Sequence, residues 1–362
     1  MKPAFNNAAN IVMSCSEEYA PYLSVCLQSL KDNTSSKHNY DIIILENLIS
    51  NQNKNKLKTQ IETSNISLRF LKIEEKMLPQ ELETIYSGRH YSIESFFRIL
   101  MPNILVSFDK ILYIDVDTLP LKDVYLLFST DLEGNTIGGC RDAIMCGWSI
   151  CTPELNIYLK NTLGIKDAKE YFQAGVMLFD CKQYRKKSCA SEIINLLNTI
   201  EFEHVDQCAL NKYFKNNVKY LNIKWNYENE NLYAKSHGFI EALSVDQKEK
   251  YFDAKNEPYI VHYISSEKPW LYFNIDFAEI WWEYAKKSPF YNEIVKKYNA
   301  NREKRKVTIE KKLQNVRVKL LKYRILNIFT LGLIKNFSKN IDIKQKDIEN
   351  IKKTNEMMIP ID

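Results

Sequence analysis

Asp115 and Asp117, separated by Val116, are the residues whose type and spacing most directly suggest chemistry. They follow residues 110–114 (KILYI), an apolar run that reads as a strand. Both carboxylates then fall at the carboxyl edge of a sheet, where ligands bind in open α/β folds. Strand alternation points them apart, but a turn just past the strand end can converge them. Two close carboxylates repel, and a divalent cation is what normally holds them together. Taken alone, the pair fits a strand-end loop with solvated acids better. His262 lies in a late apolar run, residues 258–263 (PYIVHY), ahead of the loop 265–270 (SSEKPW). Imidazole beside carboxylates suits manganese or zinc better than magnesium. Lys268 in that loop could neutralise a phosphate as a point charge. A solitary histidine is more often a packed residue, so His262 matters only in company with the two aspartates.

Other candidates have plainer alternatives. Arg98 sits among apolar residues and reads as a phosphate or carboxylate partner, or as half of a buried ion pair. Gly175 precedes an apolar strand, which marks close backbone approach or a bend, and puts Gln173 on a site rim. Asp206-Gln207 opens a helical pattern, where Asp suits an N-cap and capping alone is the better explanation. The DxDx[TV] signature of haloacid-dehalogenase-type phosphatases does not fit, because Leu119 stands at its fifth position.

These residues need elements to place them. Residues 11–15 are a short apolar run, 19–30 carry helical spacing, and 41–45 (DIIIL) have the continuous β-branched character of a buried parallel strand. A polar helix over 50–62 and a strand over 66–73 complete a β-α-β-α-β order, which implies a parallel sheet with helices on its faces. Residues 91–100 read as a helix ended by Pro102. Strands are expected over 136–140 and 174–180, helices over 188–200 and 206–214, and an aromatic-rich helical stretch over 275–298 broken at Pro289. No repeat of fixed period occurs.

The 362 residues suffice for one large α/β domain with an appendage, and the 45% apolar and 26% charged fractions exclude a disordered or collagen-like chain. The net charge of +5 conceals an asymmetry. Residues 296–362 hold 18 basic and 7 acidic side chains, a net of +11, so the first 295 carry a net of −6. A basic tail of this kind meets an anionic surface, nucleic acid or membrane. The eight cysteines form no CxxC, and several lie in apolar runs as small hydrophobes. No signal-peptide-like core opens the sequence, and no apolar stretch reaches the roughly 18 residues of a spanning helix, so a reduced, intracellular protein is expected.

Five segments in order, IVMSCSEEYAPYLSVCLQSL, ILYIDVDTLPLKDV, EYFQAGVMLFDCKQYR, VDQCALN and VHYISSEKPW, span roughly residues 10 to 270. Together they resemble glycosyltransferase family 8, retaining enzymes of the bacterial lipopolysaccharide galactosyl- and glucosyltransferase type, related to glycogenin. The resemblance implies a GT-A fold: a Rossmann-like mixed α/β sheet flanked by helices that binds a nucleotide sugar, here followed by a basic C-terminal helical tail. It implies a UDP-hexose donor and Mn2+, with Mg2+ as the alternative ion, and makes Asp115, Asp117 and His262 the metal ligands. Tyr19 would stack on uracil, Lys268 would contact the diphosphate, and Ser14, Ser16, Arg98, Asp115, Gln173 and Ser265 would complete the donor site. Asp206 and Gln207 would stand at the reacting carbon, with Gln207 as weak nucleophile or cation stabiliser and same-face attack by the acceptor hydroxyl favoured. Four positions depart from the family: Ser16 where an acidic uracil partner is common, Glu18 where a ribose-contacting Asn is common, Gln173 for Asn, and Ser265 for Gly.

On this reading residues 1–295 form the catalytic domain, 296–340 a basic amphipathic membrane-association segment and 341–362 a polar tail. Ile309, Leu313, Val316, Leu320 and Tyr323 step by four and three along one helical stripe flanked by Lys and Arg, and residues 325–334 are apolar but too short to span. The stripe fits an interfacial anchor on the anionic cytoplasmic leaflet of the inner membrane, near a lipid-linked glycan acceptor, or an oligomerisation helix. The competing classes are a nucleotidyltransferase, which would open with a Gly-rich basic phosphate loop rather than Ser16-Glu17-Glu18, and a non-catalytic nucleotide-sugar or anionic-surface binder. The acidic body argues against a nucleic-acid partner.

Overall fold

The computed structural model describes residues 1–74, 77–79, 93–329 and 345. The chain divides into two compact units, 1–265 with 284–289 and 266–283 with 290–362. The first holds a seven-stranded mixed sheet flanked by helices, the GT-A arrangement expected from the sequence. Its strands are β1 (Ala8–Cys15), β2 (Asn39–Glu46), β3 (Ile66–Lys72), β4 (Lys110–Ile114), β6 (Ile137–Arg141), β7 (Phe172–Asp180) and β8 (Val218–Leu221), in the order β3-β2-β1-β4-β7-β6-β8. The intervening β5 (Thr118–Pro120) belongs to a second sheet with β9 (Tyr227–Glu228) and β10 (Ile260–His262).

β1 lies parallel to both β2 and β4 and is the hinge of the strand order. Ile11, Val12, Met13, Ile42, Ile43 and Ile44 are fully buried. Helices cover both faces of such strands, which is why they read as unbroken apolar runs rather than alternating ones. β7 runs antiparallel to β4, pairing Ile114 with Val176 at the edge where β4 ends. The β-α-β-α-β reading of the first 75 residues is therefore observed, with helix α1 (Ala20–Asp32) between β1 and β2 and α2 (Asn51–Ile61) between β2 and β3. Ser50 caps α2 by accepting from the Asn53 N–H.

Two helical expectations are corrected. Pro102 does not end its helix: a 3-10 turn over Ile93–Phe96 leads into α3 (Phe97–Ile104), and Pro102 sits inside it. Pro102 carries no N–H, so the Arg98 carbonyl loses its usual i+4 donor while the helix continues for two more residues. Residues 91 and 92 of the expected span lie outside the described residues. Asp206 is not an N-cap either. In α5 (Val205–Phe214), His204 holds that position and Asp206 is in the first turn, its carboxylate near the backbone N–H groups of Asp206 and Gln207. α4 (Ala143–Cys151) is capped instead by Asp142, which accepts from the Met145 N–H. Gly147 of α4 brings that helix against Phe239, whose carbonyl oxygen would stand 2.0 Å from an added Cβ.

The second unit has its own aromatic core. Trp270, Trp281, Trp282 and Tyr298 form a chain of ring contacts with centroids 5.2–5.5 Å apart, and the Trp282 indole N–H donates to the Pro269 carbonyl. The helical stretch does break around Pro289: one helix covers Ala278–Ala285 and α6 covers Tyr291–Phe329. Of the expected tail stripe, Leu320 is buried and Val316 half-buried. The side chains of Ile309, Leu313, Tyr323 and residues 325–329 lie outside the described residues, as do residues 330–344 and 346–362 entirely. Among the described residues no helix is long and apolar enough to cross a membrane. All eight cysteines are free thiols, seven of them buried, and burial pushes Cys26 and Cys181 up to about 12.

Candidate active site

β4 stops at Ile114, and residues 115–117 form the turn into β5. That turn converges the two aspartates. The Asp115 N–H donates to the Gly175 carbonyl and the Tyr263 N–H to the Asp117 carbonyl, tying the turn to both sheets. β10 pairs with β5 so that His262 stands opposite Thr118. Ligand atoms of Asp115, Asp117 and His262 consequently all lie within 4.8 Å of one another. His262 Nε2 is 3.4 Å from Asp117 Oδ1.

The imidazole is oriented from behind. Asn226, just ahead of β9, places Oδ1 2.9 Å from His262 Nδ1, and its Nδ2 donates to Gln173 Oε1 at 2.8 Å. Gln173 Oε1 also accepts the Gly175 N–H. An acceptor at Nδ1 fixes the proton there and turns the Nε2 lone pair towards the aspartates, the tautomer a metal-binding histidine requires. Gly175 must be glycine here. An added Cβ would stand 2.3 Å from His262 Cε1 and 2.7 Å from Asp115 Oδ2, so the close approach read from the sequence is between this backbone and two members of the cluster.

Arg98 realises the ion-pair alternative. Its Nη2 donates to Asp115 Oδ1 at 3.0 Å, its Nε lies 3.1 Å from Asp206 Oδ2, and its Nη1 donates to the Ala174 carbonyl. The guanidinium also sits 4.8 Å over the Tyr113 ring, and the Tyr113 hydroxyl donates to the same Asp115 Oδ1 at 2.7 Å. One oxygen of Asp115 is thus occupied, and Oδ2 is the one left for a further ligand. Burial pushes the carboxyls of Asp115 and Asp206 above the usual range even though Arg98 pulls both down. A positive ion among them would relieve that strain.

Two cavities open here. One of about 380 Å³ is lined by Ser14, Ser16, Tyr19, Arg98, Asp115 and Asp117, with Glu18 and Glu94. The other, of about 280 Å³, takes in Gln173, Gln207 and Ser265 together with Asp142, Trp148 and Glu228. Gln207 is held at both ends of its amide, Oε1 accepting from the Ala174 N–H at 3.0 Å and Nε2 donating to Asp142 Oδ2 at 3.2 Å. Ser265 has φ +65°, the left-handed region that favours glycine. Lys268 belongs to the second unit, where its carbonyl accepts from Leu271 and Tyr272.

Sequence reasoning missed Tyr113, Asp142, Asn226 and Glu228. Tyr113 had a signal, since it lies two residues before Asp115. Asp142 and Glu228 form a buried pair of acids, and burial together with Asp142 raises the Glu228 carboxyl well above its ordinary value. The Asn226 contact also suggests a test. Asn226→Ala should weaken divalent-cation affinity by roughly 10- to 100-fold in a Mn2+ titration followed by electron paramagnetic resonance. Unaltered affinity would show that the imidazole needs no orientation from Asn226.

A family-wide sequence profile, glycosyl transferase family 8, matches residues 10–274. General stress protein A of Bacillus subtilis is 25% identical over 269 residues, 72% of this chain and 86% of that protein. Lipopolysaccharide glucosyltransferase WaaO of Escherichia coli is 22% identical, covering 60% of this chain and 61% of its own. Among solved structures, the bifunctional glycosyltransferase WbbM superposes with a TM-score of 0.73 and 27% identity over 82% of this chain, which spans 53% of the WbbM chain. The galactosyltransferase LgtC, solved with donor and acceptor sugar analogues, shares the fold with a TM-score of 0.60, 22% identity and coverage of 77% of this chain and 96% of its own. Profile, topology and relatives agree: the chain belongs to glycosyltransferase family 8.

Proposed function

We propose that this chain is a retaining hexosyltransferase that moves glucose or galactose from a UDP-sugar, with Mn2+, to a glycan acceptor in bacterial lipopolysaccharide or another surface glycan. The observation that carries the reading is the convergence of Asp115, Asp117 and an oriented His262 within 4.8 Å beside the cavity of Tyr19 and Arg98. Two carboxylate oxygens and an imidazole nitrogen suit Mn2+, with Mg2+ the alternative. Bound there, the dication would neutralise the diphosphate and stabilise charge developing on departing UDP.

The chain's own residues do the rest. The partly exposed Tyr19 ring offers a face to the uracil, with Ser14 and Ser16 as hydrogen-bonding partners and Lys268 as the cation for the diphosphate. Arg98 holds Asp115 and Asp206 in place for the donor sugar, and Gln173 and Ser265 flank it. Gln207, clamped by Ala174 and Asp142, presents its carbonyl oxygen to the developing positive charge on the sugar. Same-face attack by the acceptor hydroxyl, with its proton passing to the departing phosphate oxygen, gives retention without a carboxylate nucleophile.

For the tail we take residues 296–340 as an anchor at the cytoplasmic face of the inner membrane, near a glycolipid acceptor, and 341–362 as a polar extension. The net +11 of residues 296–362 supports it. The full chain should float with vesicles containing anionic lipid, and a chain ending at Ala300 should not; equal flotation of both removes the tail from the account. For the catalytic reading, a screen of UDP-sugars should find one hydrolysed only with a divalent ion, and Asp117→Ala should lower that turnover by at least about 100-fold with its melting transition kept. Undiminished turnover would refute the assignment, and binding of UDP-sugar without any turnover would favour the non-catalytic binder.

A further inference from the structure

Asp115 is held by a tyrosine to which the reading above gives no part. Tyr113 stands on β4, opposite Val12 of β1 on one side and Met177 of β7 on the other, and is 1% exposed. Residues two apart along a strand share a face, and the Tyr113 hydroxyl donates to Asp115 Oδ1 at 2.7 Å. Arg98 Nη2 donates to the same oxygen at 3.0 Å. That guanidinium is itself anchored, with Nε donating to the Ser95 carbonyl and facing Asp206, and Nη1 donating to the Ala174 carbonyl. A carboxylate oxygen offers about two lone-pair sites, so the two donors fill Oδ1. Oδ2 lies on the other side, against Gly175. A Cβ added there would stand 2.7 Å from Asp115 Oδ2 and 2.3 Å from His262 Cε1. The two oxygens of Asp115 therefore have different tasks: Oδ1 is tied to the protein and Oδ2 faces the cluster.

We propose that Tyr113 is a positioning residue which, with Arg98, confines Asp115 to one metal-binding oxygen, and that this confinement selects Mn2+ or Mg2+ against Ca2+. This rests on the metal reading above and adds to it the ion that the site refuses. Ca2+ takes about six to eight oxygens and readily fills its shell with both oxygens of one carboxylate, whereas Mg2+ accepts an octahedral shell. Mn2+ accepts that shell too, and an imidazole nitrogen with it. An Asp115 limited to Oδ2 gives fewer oxygens than Ca2+ favours, and His262 replaces a further one with nitrogen. Of the two donors on Oδ1, the phenol is the one that can be removed by itself. Arg98 also serves Asp206 and two backbone carbonyls, while Tyr113→Phe keeps the ring 4.8 Å beneath the guanidinium and loses only the hydroxyl.

The readout is ion binding, independent of turnover. Mn2+ is titrated into the full chain by electron paramagnetic resonance, and Ca2+ is then used to displace it. The native chain should hold Mn2+ at least about tenfold more tightly than Ca2+. Tyr113→Phe should narrow that ratio by about tenfold, because a lone pair of Oδ1 is returned to the site. An unchanged or wider ratio in the variant, whether both ions weaken alike or neither moves, would overturn the proposal, since a merely structural hydroxyl does not tell two ions apart. A native chain that holds Ca2+ as tightly as Mn2+ would overturn it too. Failure of Mn2+ to bind the native chain would instead count against the metal reading itself. If Tyr113→Phe does not fold, infrared difference spectra of the native chain with and without Mn2+ decide, with the Asp115 bands assigned through Asp115→Asn. The splitting of its carboxylate stretches should be that of coordination through one oxygen, and the splitting of two-oxygen coordination would overturn the proposal.

Discussion

Negative charge gathered at one sheet edge is the constraint on which the catalytic unit depends. Asp115, Asp117 and Asp206 converge there, and the Arg98 guanidinium meets Asp115 and Asp206. Carboxylates gathered this closely raise one another's cost of ionisation, a cost that a divalent ion would relieve. Burial sharpens that cost, since it lifts Asp115 and Asp206 above their ordinary range despite Arg98. Close by, burial also raises the carboxyls of Asp142 and Glu228 above their ordinary range.

Holding the first cluster open is the work of the small second sheet. β10 delivers His262 beside the turn at Asp115–Asp117, and β9, pairing with β10, brings Asn226 behind the imidazole and Glu228 against Asp142. Gln173 accepts from both Asn226 and Gly175, and Gln207 bridges Ala174 to Asp142. An unbroken run of amide groups therefore links the Asp115–Asp117–His262 cluster, the first residues of β7 and the second cavity. Side chains held at both ends lose little freedom on binding, which is the structural form of preorganisation. The close approach at Gly175 belongs to the same design, because no larger residue leaves His262 and Asp115 where they stand.

What the sequence revealed followed from periodicity and from residue chemistry. The run DIIIL announced a buried parallel strand, and the Asp115-Val116-Asp117 turn at the end of KILYI announced a site at a sheet edge. His262 was findable as the polar end of a late apolar run. Asn226 and Glu228 were not, because a strand of two residues has no period and its partners in β10 lie 34 positions away. Asp206 was misread because an acid opening a helix ordinarily caps it, and only the fold brings Arg98 close enough to claim it. Pro102 misled for a similar reason: the packing of α3, with Phe97, Ile99, Leu100 and Met101 buried, outweighs a missing backbone donor near the helix end. Ser265, noted in the sequence as standing where the family has glycine, keeps the left-handed backbone that favours glycine.

The account stands or falls on whether the acid cluster binds nucleotide through a cation. Calorimetric titration of the full chain with UDP, with Mn2+ and then with the metal chelated, measures this directly. The account predicts UDP affinity that falls by at least about tenfold, or 1.4 kcal/mol, when the ion is removed. Equal affinity with and without a divalent ion would contradict it, because Asp115, Asp117 and His262 would then have no part in holding the donor.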